Sequence, residues 1–376
     1  MPKAYALLGT YPPTQCGLAT FSAALFAHLR GPGDRAGVVR VLDEPTRCDA
    51  PEVVHDLVNG SAPSAAAAVR VLNCFDVTIV QHEYGIYGGP DGRDLIPLLE
   101  ALRVPSIVVL HTVMARPTTR QRMILVDVID AASAVVTMTQ TARSRLLDIY
   151  GTSPAKVFVI PHGSADNRVA ATSRQRDRGH RALTWGLLGP GKGIEHAIDA
   201  IALLRDRGLR VAYTVAGQTH PRVRARDGEA YRRLLEERVN ARGVEDLICF
   251  DSRFLPADAL THLIDAADVV LLPYDSLEQV TSGVLIEAVA AGKPVVSTSF
   301  PHAVEMLADG TGLLVQRRHP ADIADALSRV FTEPGLSARM SRRSTDLAPQ
   351  LLWTAVANSY RELAASLIET RQGAAV

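Results

Sequence analysis

The sequence predicts an α/β protein of two doubly wound, Rossmann-like domains facing each other across a cleft, and three observations carry that prediction. Short apolar runs alternate with helix-patterned stretches along the chain, and strand and helix in strict turn build a parallel sheet covered on both faces. Residues 164–181 (SADNRVAATSRQRDRGHR) interrupt the alternation with a polar, charged segment of no periodicity, the composition of a boundary. A length of 376 residues is enough for two ordinary domains, each burying its own core.

In the first part, strand-like runs fall at 4–8, 38–42, 77–81, 106–110, 134–138 and 156–160. Helix-like stretches lie between them at 20–30, 64–73, 94–102, 119–131 and 139–150. After the break, strands are expected at 182–188, 210–216, 247–250, 269–272, 294–298 and 312–315, with helices between. A last helix should run from Trp353 to about residue 370, with Val356, Tyr360, Leu363 and Leu367 on its apolar face. The expected division is therefore a first domain at 1–165, a linker at 166–181, a second domain at 182–350 and a terminal helix at 351–376.

Composition narrows the classes of partner. Forty basic residues balance forty acidic ones, so no global basic field speaks for nucleic acid. At 47% hydrophobic and 21% charged, the chain has an ordinary soluble globular composition. Cys16, Cys48, Cys74 and Cys249 are scattered, without C-x-x-C or zinc spacing, and read as reduced cytoplasmic thiols. The N-terminus moves directly into a strand with no long apolar segment, and no run approaches the roughly 18 apolar residues of a spanning helix. A cytoplasmic location is expected, with peripheral contact at the inner membrane face compatible with it.

In open parallel sheets, ligands bind beyond the carboxyl ends of the strands, so the loops there are where chemistry is sought. The most informative runs from Asp275 to Glu287 (DSLEQVTSGVLIE), after the strand at 269–272. A helix opening at Ser282 or Gly283 turns its first unbonded N–H groups toward whatever fills the loop, which suits a phosphate. Glu287 lies four residues after Gly283 on the same helical face, where it can accept hydrogen bonds from a neighbouring ribose. Gly186-Leu187-Leu188-Gly189-Pro190-Gly191-Lys192-Gly193 fits G-x-x-x-x-G-K, but Gly193 stands where a P-loop needs Ser or Thr for magnesium. His82-Glu83-Tyr84-Gly85 follows the strand ending at Gln81; Ile86 occupies the place of the second His of a zinc-protease helix. His82 and Glu83 are therefore expected on a polar rim loop, either as acceptor-sugar contacts or as plain loop structure.

The loop at 275–287 followed by Gly292-Lys293-Pro294-Val295-Val296 resembles the donor-site signature of glycosyltransferase family 4, retaining enzymes of the GT-B fold. That family carries Glu, seven residues, then Glu; here Glu287 matches the second, while Gln279 holds the first position, with Glu278 beside it. The resemblance implies donor contacts from Gly17, Lys192, Gln279, Thr281, Ser282, Gly283, Val284 and Glu287, with Gly17 against the donor phosphate or the acceptor. It implies a catalytic trio of His111, at a strand end near the transferred sugar, Lys192 at the leaving diphosphate, and Glu287. Pro161-His162-Gly163 looks like the family's short turn into the linker. Most relatives carry Arg five residues before the lysine, where this chain has Leu187.

The implied activity is transfer of mannose or glucose from a GDP- or UDP-linked donor to a saccharide, glycoconjugate or lipid-linked acceptor. No cofactor is expected beyond the nucleotide sugar. No metal is expected either, because the chain has no Asp-x-Asp pair. Two alternatives follow from Gln279 and Leu187 or from the fold: a catalytically weak nucleotide-sugar binding protein, and a nucleotide-sugar epimerase or hydrolase. Lys293, before the strand at 294–298, is expected to be mild on removal.

Overall fold

In the computed structural model, which describes residues 3–168 and 179–374, β1 (Ala4–Gly9) is the third strand of a seven-stranded parallel sheet. The other strands are β2 (Arg35–Leu42), β3 (Val53–Val58), β4 (Val77–His82), β5 (Ser106–Leu110), β6 (Ala134–Thr137) and β7 (Val157–Val159). Their order, β3-β2-β1-β4-β5-β6-β7, reverses direction between β1 and β4, where a doubly wound sheet opens a crevice at its carboxyl edge. Helices α1 (Gly17–Leu29), α2 (Ala62–Leu72), α3 (Leu95–Glu100), α4 (Thr119–Ala131) and α5 (Gln140–Asp148) make the crossovers. Strands β1, β4, β5 and β6 are buried along their whole length, which is why they appear in the sequence as unbroken apolar runs.

A second sheet of six parallel strands contains β8 (His180–Trp185), β9 (Val211–Ala216), β10 (Ile248–Asp251), β11 (Val269–Leu272), β12 (Val295–Thr298) and β13 (Gly312–Val315). Its order, β10-β9-β8-β11-β12-β13, repeats the plan, with the reversal between β8 and β11. The helices are α6 (Ile194–Asp206), α7 (Pro221–Asp227), α8 (Ala230–Arg242), α9 (Ala257–Ala266), α10 (Gly283–Ala290), α11 (Pro301–Leu307), α12 (Pro320–Thr332) and α13 (Leu336–Leu351). A final helix, α14, spans Trp353–Ala374.

The chain divides into two compact units, Met1–Gly163 with Trp353–Val376, and Ser164–Leu352. The expected linker at 166–181 falls mostly at 169–178, outside the described residues. Trp353, Val356, Ala357, Tyr360, Leu363 and Ala364 of α14 are buried in the same core as Tyr5, Phe21, Leu25 and Val109 of the first unit, and Arg361 Nη1 donates to His28 O at 3.0 Å. Gly163 explains its own identity: a Cβ there would sit 2.2 Å from the Trp353 ring. No helix among the described residues is long and apolar enough to cross a membrane.

Three expectations need correction. Strand β3 was absent from the apolar runs, because an edge strand reading Val-Val-His-Asp-Leu-Val leaves most of its length half-buried or exposed. His82 does not lie on a rim loop. It closes β4, pairs in register with Leu110 and is completely buried, because backbone pairing with β5 carries the strand one residue further than its apolar run. Lys293 is no bystander either: its buried side chain donates from Nζ to Asp265 O at 2.8 Å and to Ala267 O at 3.0 Å, capping the carbonyl end of α9.

Candidate functional site

At the reversal point of the second sheet, the chain leaves β8 and β11 in two loops that fit against each other. After Trp185, Gly186 turns at φ 115°, and a Cβ on Gly217 would fall 2.0 Å from Gly186 O; both positions need glycine for different reasons. The turn ends at Gly193, in the left-handed region at φ 63°, where a Cβ would lie 2.0 Å from Pro273 O. Asp275 N–H donates to Gly191 O at 2.8 Å. The glycine-rich turn is thereby fixed to the β11–α10 loop, and Lys192, half-buried, is brought 4.1 Å from the centroid of the Tyr274 ring. That is a cation–π contact, and Tyr274 is itself stacked on Phe300 at 5.3 Å.

The start of α10 is strongly specified. Ser282 is the N-cap, its Oγ accepting from Leu285 N–H at 3.3 Å, while its own N–H donates to His302 Nδ1 at 2.8 Å. His302 N–H reaches Gln279 O at 3.5 Å. The helix therefore begins at Gly283, and the N–H groups of Gly283 and Val284 are its forward-facing donors, because those of Ser282 and Leu285 are spoken for. Thr281 Oγ1 is buried beside them without a partner.

Glu287 is one turn further along α10. Its Oε2 accepts a 2.9 Å hydrogen bond from Trp185 Nε1–H. Burial pushes the carboxyl above its ordinary range, and the indole N–H opposes that shift by stabilising the charged form. Lys192, Gln279, Thr281, Ser282, Gly283, Val284 and Glu287 are thus gathered around one strand switch point in the second unit. Leu187 adds no charge there; Arg317 and Arg318 both pair with Asp275 in the same loop.

Gly17, His82, Glu83 and His111 belong to the first unit. Gly17 opens α1 behind the N-cap Cys16, exposed and with nothing within 4 Å of a Cβ position. His111 follows β5; its Nε2 lies 2.7 Å from Gln81 Oε1, an acceptor that keeps the ring proton on Nε2. Phe21 meets the ring edge-on at 4.9 Å, and burial, with smaller contributions from His162 and His82, lowers its pKa to about 3. Glu83 accepts from Thr112 Oγ1 and from Tyr84 N–H. His82 has both ring nitrogens buried without partners, and burial lowers its pKa to about 4.

Three participants were not singled out from sequence: Trp185, His302 and Gln81. Trp185 stood inside an expected strand, and His302 just after one. Trp185 and Gln81 lie at or next to strand ends and His302 in the first turn of α11, and no local pattern separates a polar tether from a core residue.

The defining pattern of Glycosyl transferases group 1 matches residues 171–346, and that of Glycosyltransferase Family 4 matches residues 20–168. A D-inositol 3-phosphate glycosyltransferase of Corynebacterium aurimucosum is 30% identical over 313 residues, covering 77% of this chain and 72% of that protein. A protein of the same name from Acidothermus cellulolyticus is 32% identical over 239 residues, covering 60% of this chain and 52% of that one. The chain thus spans between half and three quarters of the length of these relatives. Among solved structures, Anabaena Alr3699/HepE in complex with UDP superposes with a TM-score of 0.76 at 18% identity, covering 97% of this chain and 100% of the other. Sucrose-phosphate synthase from Thermosynechococcus elongatus gives 0.79 at 16% identity, covering 98% and 100%.

Proposed function

The chain belongs to glycosyltransferase family 4, and from that premise we propose that it moves a hexosyl group, mannose or glucose, from a GDP- or UDP-linked donor to a saccharide, glycoconjugate or lipid-linked acceptor. The observation that carries this reading is the switch point of the second sheet, where Glu287, held by Trp185, sits one turn behind the opening of α10 and Lys192 stands on the adjoining turn. A carboxylate placed for ribose hydroxyls, helix-end amides and a lysine placed for a diphosphate together make a nucleotide-sugar site. The UDP complex of the fold relative HepE supports the same class of ligand.

The reaction retains configuration and proceeds without a metal ion. The bond from the anomeric carbon to the diphosphate oxygen breaks, the acceptor oxygen joins on the same face, and the departing diphosphate oxygen takes the acceptor proton. Lys192 and the Gly283 and Val284 amides stabilise the charge that develops on the leaving group, the largest kind of contribution in such chemistry. His111, kept a neutral imidazole by burial, and Glu83 are the first unit's candidates for contacts to the transferred sugar and to the acceptor. The setting is cytoplasmic, at the inner membrane face where the acceptor is lipid-linked; the four cysteines form no disulfide.

A second reading, a nucleotide-sugar binding protein of weak turnover, is favoured by Gln279 and Leu187 at positions where the family carries Glu and Arg. Incubation with UDP- and GDP-hexoses, with and without sugar acceptors and excess EDTA, separates the two. We expect an acceptor-dependent glycoside with the donor's anomeric configuration, formed equally in EDTA. Binding without product favours the second reading, and loss of product in EDTA with rescue by manganese removes the metal-free site.

A further inference from the structure

Lys192 is held without being neutralised. The chain has four lysines, Lys3, Lys156, Lys192 and Lys293; Lys293 commits its ammonium to two carbonyls, and Lys156 Nζ donates to Asp130 O at 2.9 Å. Lys192 instead places Nζ over the Tyr274 ring, 4.1 Å from its centroid, and among the described residues no carboxylate pairs with it. The carboxylate next in the chain to Tyr274, that of Asp275, is taken at both oxygens: Arg317 Nη1 donates to Oδ1 at 2.8 Å and Arg318 Nε to Oδ2. The ring itself is fixed by the core. Tyr274 is 1% exposed, its O accepts from Thr298 Oγ1 at 2.6 Å, and the buried Phe300 stacks on it at 5.3 Å with 25° between the planes. Its hydroxyl is buried without a partner, so packing and the backbone, not the phenol oxygen, set the place of the ring.

We propose that Tyr274 is the positioning residue for Lys192: its aromatic face fixes the ammonium on the glycine-rich turn and leaves the whole charge for the diphosphate. The inference rests on the nucleotide-sugar reading above. A lysine left in water must freeze a flexible four-carbon stem when the nucleotide binds. A carboxylate partner would freeze the stem beforehand but cancel the charge. A ring face does the first without the second, because its quadrupole attracts a cation while carrying no net charge. Since Leu187 adds no cation to this turn, a neutralised Lys192 would leave the diphosphate to the amides of α10 alone.

Two measurements on the full chain test this. With only four lysines, protein carrying 13C-labelled lysine gives a spectrum in which Lys192→Arg identifies the Lys192 signals. Ring current should displace them upfield in the parent and in Tyr274→Phe, and the displacement should vanish in Tyr274→Leu. The second measurement is calorimetric titration with UDP and GDP on proteins carrying phenylalanine, then mono-, di- and trifluorophenylalanine, at position 274. Fluorine nearly preserves the shape of the ring while draining the charge of its face, so a purely structural role predicts no trend. Affinity should fall stepwise along the series, by about fivefold in all, the scale of immobilising one rotamer-rich side chain, and the trend should disappear in a Lys192→Ala background. Lys192 signals without displacement in the parent, a flat series, or the same fall with and without Lys192 each overturn the inference alone. A parent protein that binds neither UDP nor GDP overturns it together with the proposed function.

Discussion

Glu287 is tied to a partner 102 positions away in the chain, Trp185, and that bond works against the burial that raises the pKa of its carboxyl. Desolvation favours a protonated carboxyl, which would donate one hydrogen bond where two ribose hydroxyls need an acceptor; the indole N–H moves the balance back toward the carboxylate. Glu287→Gln should therefore weaken nucleotide-sugar binding by about 1.5 to 3 kcal/mol, the contribution of a hydrogen bond to a charged group. Trp185→Phe, which keeps the ring and removes the donor, should weaken it in the same direction by less. Affinities equal to the parent's in both variants would take Glu287 out of the donor site. The residue types at this site are legible in the sequence, since a glycine-rich turn, a lone lysine and a capped helix leave local marks. Its tethers are not: His302 to Ser282 and Trp185 to Glu287 are long-range side-chain bonds, and a buried Trp or His has the same sequence appearance whether or not it holds a functional group.

At the scale of elements, Lys293 turns a connection into a fastening. Its ammonium satisfies two carbonyls at the end of α9, Asp265 O and Ala267 O, while its own carbonyl accepts from Ser344 Oγ on α13 at 3.4 Å. Lys293→Ala leaves buried acceptors unpaired and should lower the stability of the second unit by about 2 to 4 kcal/mol. Lys293→Met, which preserves the aliphatic stem, should recover only the packing share. Denaturant midpoints that match the parent's in both variants would mean that water replaces the ammonium. The same element shows where sequence reasoning stops. The run 294–298 announces a buried strand, but the lysine before it is drawn in by carbonyls contributed from a helix some 30 residues earlier in the chain. Edge strand β3 was illegible for the opposite reason, having one pairing neighbour and no continuous apolar face to write into its residues.

For the molecule as a whole, buried histidines set a limit on acid tolerance. Burial lowers the His82 pKa from an ordinary 6.5 to about 4, and His111 and His162 are lowered to about 3 and about 4. The latter two keep some exposed surface, so His82 carries the firmer share. Below pH 6.5 the unfolded chain takes up protons that the folded one refuses. Stability therefore falls with pH and levels off near the folded-state value; for His82 alone the loss is about 3 kcal/mol. Denaturation midpoints measured from pH 7 to pH 4 should drop for the parent and drop less for His82→Leu; equal slopes would mean that the ring is protonated in the fold. The placement of α14 bears on synthesis. Phe21 packs edge-on against Trp353 at 5.0 Å, yet roughly 190 residues of the other unit lie between Gly163 and Trp353, and a ribosome needs about 10 to 40 s to deliver them. Through that interval the nascent first domain has an open face where Trp353, Val356 and Tyr360 will later sit. Its partner domain can finish folding first, so the unit whose strands are made earlier is the later of the two to close.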